Sequence, residues 1–185
     1  MQRRHFVAAV AVAMLAGLGR VSAQDTRFGL TAADWQFARR WLETNCLAPS
    51  AQPFLAELRS RSAVMQRAFI GALDEGPLPD EIAGVREGAR ARYRQGRQLL
   101  ERGELADALP PERLAAVRSV TEDGFIAAEV DSFVNGYRSN AMAGLAVVGD
   151  DVAVARLKQM AADRSPALAS AARAALAYRQ PARQP

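Results

Sequence analysis

Along this sequence the apolar residues recur at intervals of three and four, and almost nowhere at intervals of two. That spacing keeps them on one face of a helix, whereas a half-buried strand needs strict alternation. The chain is therefore read as all-α, with its helices folded back on one another as hairpins. Thr31, with Asp34 three residues on, makes a capping-box-like start for a helix carrying Trp35, Phe37, Ala38, Trp41 and Leu42. Asn45 to Pro49 ends it. Ser50 caps a short second helix with Phe54, Leu55 and Leu58 inward, and Ser62 opens a third with Val64, Met65, Ala68, Phe69 and Leu73. Gly76-Pro77-Leu78-Pro79 then breaks the chain. From Asp80 to Arg102, the positions Ile82, Val85, Ala89, Tyr93, Gly96 and Leu100 predict one long amphipathic helix, stopped by Gly103. Beyond Pro110 and Pro111, further helices carry Leu114 and Val117, then Phe125, Ile126, Val130, Phe133 and Val134. The polar, proline-interrupted end, 178–185, reads as a frayed tail.

Comparing the chain with itself adds an internal pattern. Tyr137, Arg138, Ala141, Gly144 and Leu145 return in the same spacing as Leu168, Ala169, Ala172, Ala175 and Leu176, with a fainter echo at Met65, Gln66, Phe69, Ala72 and Leu73. Small residues at Ala141, Gly144, Ala172 and Ala175 let helix backbones approach, while Leu145, Leu157, Met160, Leu168 and Leu176 fill the seam. Ser165-Pro166 is a favourable helix start, and Asp150 and Asp151 stand where a helix N-terminus uses negative charge. The stretch from Asp131 to Ala177 resembles HEAT and HEAT-like (phycobilisome-lyase type) repeats. The residues that carry the likeness are Tyr137-Arg138, Ala141, Gly144-Leu145, "VVGDD", "VARLKQMAAD" and the next unit from Leu168. Asp151 stands where Pro is usual after Gly-Asp, and Ala169 where Arg is usual. The expected architecture is thus a short HEAT-like α-solenoid or an irregular helical bundle.

The first residues have a basic start, an apolar run of about a dozen residues and small residues at Val21 and Ala23, the pattern of an export signal at 1–23. The run is shorter than the ~20 apolar residues of a membrane-spanning helix, so no stable span is expected after cleavage. Arg3-Arg4-His5-Phe6-Val7 resembles the twin-arginine (Tat) motif, with Gln2 in place of Ser or Thr and Ala8 in place of Lys. Either Tat or Sec export places the protein in the periplasm or outside the cell. The whole chain has 24 basic and 20 acidic residues, but Arg3, Arg4 and Arg20 leave with the signal, which contains no acid. The near-neutral remainder, 24–185, gives no reason to expect a nucleic-acid partner. It suits one domain, which at this size buries about 70% of its unfolded surface. The lone cysteine, Cys46, excludes an internal disulfide and is either a buried small hydrophobe or an intermolecular partner.

The one histidine, His5, lies in the signal, so histidine-based metal sites, Ser-His-Asp triads and Cys-His pairs are not expected. No cofactor or metal ligand set is evident, and Gly88 and Gly96 lack the strand-to-helix context of a phosphate loop. Four candidate features remain. Glu122, Asp123, Glu129 and Asp131 supply paired acids of the kind that hydrolyse glycosidic bonds, or else they stabilise a helix start and its solvated face. Arg86, Arg90, Arg94 and Arg97 step along one side of the long helix with Tyr93 nearby. They would hold an anionic envelope component or an acidic protein surface, or else form a solvated face with pairs such as Arg97 with Glu101. Trp35 and Trp41 fall on different sides of the first helix, which puts one of them at a binding groove or both in the core.

What the repeat resemblance implies is a protein-protein interaction or scaffolding role, as an accessory subunit bound to another periplasmic protein. The alternatives are a ligand-binding bundle with a pocket lined by Trp35, Trp41 and Phe54, and an enzyme working through carboxylates, glycan-hydrolysing or lyase-like.

Overall fold

A computed structural model describes residues 27–43, 52–105 and 108–179. Among them are eight helices and no strand: α1 (Ala32–Glu43), α2 (Gln52–Ser60), α3 (Ser62–Glu75), α4 (Pro79–Glu101), α5 (Pro111–Ser119), α6 (Glu122–Val148), α7 (Asp151–Ala161) and α8 (Pro166–Arg179). The segment 1–23 read as an export signal, Cys46, the expected Ser50 cap and Asn45–Pro49 stop, and residues 180–185 fall outside the described residues.

Local chemistry accounts for where the helices begin. At α1 the Thr31 hydroxyl donates to Asp34 at 2.7 Å and accepts from the Asp34 N–H at 3.2 Å. In α4, Pro79 takes the first position, where its missing N–H costs nothing, and the Glu81 carboxylate accepts from the Leu78 N–H at 2.7 Å. Thr121 caps α6 by accepting from the Gly124 N–H at 3.1 Å. Asp150 caps α7 by accepting from Val152 at 2.9 Å and Ala153 at 3.2 Å. Pro166 opens α8 directly after Ser165.

The helices gather round α6 as an irregular bundle. α6 lies between α3 and α8 and also packs against α1, α2, α4 and α7. The self-similar positions form this seam. Met65, Phe69, Ala72 and Leu73 of α3, Tyr137, Ala141, Gly144 and Leu145 of α6, and Leu168, Ala172 and Ala175 of α8 are all buried. Gly144 is where α3 comes closest, because a Cβ there would overlap the Phe69 ring. α1 is tied to α6 by a reciprocal pair: Trp41 Nε1 donates to the Asn140 carbonyl and Asn140 Nδ2 donates to the Leu42 carbonyl, both at 2.8 Å. Gln66 of α3 exchanges two hydrogen bonds with Asp150, at 2.8 and 3.1 Å, and so fixes the start of α7.

Polar groups secure the other end of α3. Arg27 donates to the Gly76 carbonyl at 2.8 Å and to the Tyr137 hydroxyl at 3.4 Å. Beneath them the Glu81 side chain, 6% exposed, pairs with Arg39 at 3.0 Å and so joins α4 to α1. Burial, reinforced by the Glu81 carboxylate, holds the Tyr137 phenol protonated far above its ordinary range.

Two measurements check this packing. Replacing a helical glycine by alanine ordinarily stabilises a protein by about 1 kcal/mol. At Gly144 the sign should reverse: Gly144→Ala is expected to cost about 1–3 kcal/mol by overpacking. The loss should appear as a lower urea midpoint and be partly recovered by adding Phe69→Leu. The second concerns Asp150, whose carboxyl is held below its ordinary range first by the Ala153 N–H, then by the Gln66 amide and the Val152 N–H. A depressed folded value stabilises above the unfolded pKa of about 4 and is lost as pH falls through the folded one. The stability gap between wild type and Asp150→Asn should therefore be full at neutral pH and close on acidification; a gap constant with pH would contradict the assignment.

Candidate functional site

Between Ala89 and Tyr137 no described side chain is buried. This stretch comprises the C-terminal half of α4, all of α5 and the N-terminal half of α6, which together make a thin helical arm. Its apolar residues have partners on one side only. Tyr93 packs on Phe125 with ring centroids 6.0 Å apart and donates its hydroxyl to the Val120 carbonyl at 3.1 Å. Ile126, Val130 and Phe133 are half-buried, while Val117 and Val120 stand 39% and 40% exposed.

The arginines of α4 meet this arm in different ways. Arg90 pairs with Glu122 of α6 at 3.4 Å. Arg97 donates to the Arg118 carbonyl at 3.4 Å, at the negative end of the α5 dipole, rather than pairing with Glu101. Arg92, which the stepwise spacing did not single out, pairs with Glu129. Arg94 is exposed. Arg86 and Arg90 form one lip of an open groove of about 400 Å³, Asp123 and Asp131 belong to its α6 wall, and Ile126, Ala127 and Val130 complete the lining. The groove is basic along α4 and acidic along α6.

The four acids of α6 fall into two groups. Glu122 and Glu129 are ion-paired with arginines, and Asp123 and Asp131 are exposed. Acid-base work on a glycosidic bond needs two carboxyl groups facing each other across a substrate, with one of them perturbed by its surroundings. Glu122 and Glu129 are taken up by ion pairs with α4, and Glu122 and Asp123 stand in the first turn of α6, where negative charge favours the helix.

Both tryptophans are in the core, Trp35 at 4% exposure and Trp41 at 2%, so neither opens onto a groove. Trp41 stacks on Phe54 at 5.8 Å and Phe54 stacks on Phe37 at 4.7 Å, so these rings fill the space that a pocket between Trp35, Trp41 and Phe54 would require. Trp35 points away from that cluster and is covered instead by the turn preceding α1. Phe28 meets it edge-on at 5.6 Å, and the Arg27 guanidinium lies 5.3 Å from its ring centre. Gly71 admits this cover, because a Cβ there would overlap the Phe28 ring. Phe28 adopts a positive φ of 57° to reach it. Such a conformation costs a bulky residue about 1–3 kcal/mol unless packing offsets it.

Among the described residues no group of His, Cys, Asp and Glu is placed to hold a metal ion, and no helix is long and apolar enough to cross a membrane. No protein-family model matches this chain, and no curated protein or solved structure shows significant similarity to it.

Proposed function

We propose that this protein is an exported interaction module, an accessory subunit that docks another periplasmic protein on the arm formed by α4, α5 and α6. The observation that carries this reading is the absence of any buried side chain from Arg90 to Gly136 among the described residues, along helices that nonetheless present Tyr93, Phe125, Ile126 and Val130. A hairpin whose apolar residues are only half covered gains when a partner covers the remainder. Arg86 and Arg90 beside Asp123 and Asp131 supply a polar border that orients such a partner. In this reading α7 and α8, which pack on α6 and on each other, form the supporting scaffold. The basic start and apolar run of 1–23 support a periplasmic location, by the twin-arginine route if Arg3 and Arg4 are read as a pair.

Photo-crosslinking residues introduced at Val117 or Val120 in the producing cell are expected to capture a discrete protein, whereas one at exposed Ala177 of α8 does not. Reversing Arg86 and Arg90 to Glu should reduce the arm adduct by roughly tenfold or more, since like charges set against a partner cost several kcal/mol. Equal capture from the arm and from α8 would remove the basis of the proposal. Replacing Arg3 and Arg4 together by Lys should abolish export and cleavage after Ala23 if the route is twin-arginine; continued export would assign the Sec route instead.

A further inference from the structure

One side of α6 runs unbroken from the arm into the body. Ile126, Val130, Tyr137, Ala141 and Gly144 follow one another at helical steps and so share a face. In the body this face is covered by α3, whose Phe69 ring rests on Gly144. α3 ends at Gly76, level with Tyr137, because Arg27 reaches both the Gly76 carbonyl and the Tyr137 hydroxyl. Farther out, the same face is the floor of the groove between α4 and α6, with Ile126 and Val130 half-buried and Ala127 exposed. The groove therefore continues the line of the α3–α6 interface past the end of α3.

The walls decide what covers it. Both are α-helices whose backbone groups are satisfied internally. An extended segment laid on Ile126 and Val130 would leave its own N–H and C=O groups without partners. A helix brings its backbone bonds with it and packs by its side chains, as α3 does. The borders are charged and opposite in sign. Arg86 on α4 and Asp123 and Asp131 on α6 are exposed and have no ion pair among the described residues, while Arg90 is held by Glu122. Asp123 and Asp131 stand eight residues apart, about 12 Å along α6, which matches slightly over two turns of an occupant. An anionic membrane or nucleic-acid surface answers only the basic border. A second copy laid arm on arm in the antiparallel sense sets α4 against α4, arginine against arginine. In the parallel sense it brings both α3 helices, each seated on this face of its own α6, to the same place.

We propose that the groove receives an amphipathic helix of the partner protein, with its apolar seam on Ile126, Ala127 and Val130. Its acidic flank lies along Arg86 and Arg90 and its basic flank along Asp123 and Asp131. The inference rests on the reading of the arm as a docking surface and states the chemistry of what docks there. The occupant lies end to end with α3, and its seam repeats the spacing of Met65, Phe69 and Ala72, by which α3 meets α6.

Fluorescence anisotropy of the full exported chain with three labelled, stapled helices of about four turns tests this. All three carry the α3 seam; one has Glu on one flank and Lys on the other, one has Glu on both, and one has Lys on both. The mixed helix should bind saturably, one per chain, and roughly tenfold more tightly than either uniform helix. The preference should follow the borders: Arg86→Glu should favour the all-Lys helix and Asp131→Lys the all-Glu helix, both changes being at exposed positions. Ala127→Trp on the groove floor should weaken the mixed helix roughly tenfold or more, whereas Ala177→Trp on α8 should leave it unchanged. No saturable binding, equal binding of the three helices, a preference unmoved by both charge reversals, or binding indifferent to Ala127→Trp would each overturn the proposal. So would a dimer that Ala127→Trp converts to monomer, which assigns the groove to a second copy, or loss of binding when residues 1–23 are retained, which assigns it to that segment. Capture at Val117 or Val120 without helix binding removes this inference and leaves the docking reading; helix binding without capture removes the docking partner and leaves a helix-receiving groove.

Discussion

The Phe69 ring resting on the bare backbone of Gly144 sets the distance between α3 and α6, and most of the molecule is built outward from that contact. With the two helices this close, Met65 and Ala72 on one side and Ala141 and Leu145 on the other become fully enclosed. α8 also packs on α6 with Ala172 and Ala175, small residues that again allow close approach. The alanine-rich composition of the C-terminal region follows from this geometry rather than from any chemistry. Dense packing between short side chains gives the seam its stability through many weak contacts.

Much of this was legible in the sequence because it rests on local rules. The interval of three and four located the helices, Thr31 announced a cap, Asp150 and Asp151 marked a helix start by their charge, and Gly76 to Pro79 marked the break before α4. The recurring pattern at Met65, Tyr137 and Leu168 picked out three helices that share one buried seam. What was hidden depends on residues far apart in the chain. Helical periodicity placed Trp35 and Trp41 on different sides of α1, and only the turn at Arg27 and Phe28, seated in the gap left by Gly71, buries the second side. Arg97 has a helical neighbour in Glu101, yet it turns to the carbonyl end of α5, which no local spacing reveals. Arg138 reads in the sequence as one more repeat position; its unmet Nε is visible only once α3 and α7 close around it.

The same chain thus carries two kinds of surface on one framework. Around the C-terminal half of α6 the side chains are enclosed, hydrogen bonds such as Trp41 to Asn140 are reciprocal, and the structure is determined in detail. Along the arm, ion pairs such as Arg90 with Glu122 hold α4 beside α6 without a core beneath them, and exposed pairs of this kind contribute about 1 kcal/mol or less. The body is thus closely packed on all sides of its core, while the arm is held by contacts along one flank.

α6 belongs to both regions without interruption from Glu122 to Val148, a rod of about 40 Å at the ordinary helical rise. Its inboard turns are locked among other helices, whereas its outboard turns have water on one flank and a single neighbour on the other. Opening of its backbone ladder therefore begins at the Thr121 cap and becomes steadily more expensive toward Gly144. A load applied to the tip of the arm would be resisted at its root, which makes α6 a cantilever anchored in the seam.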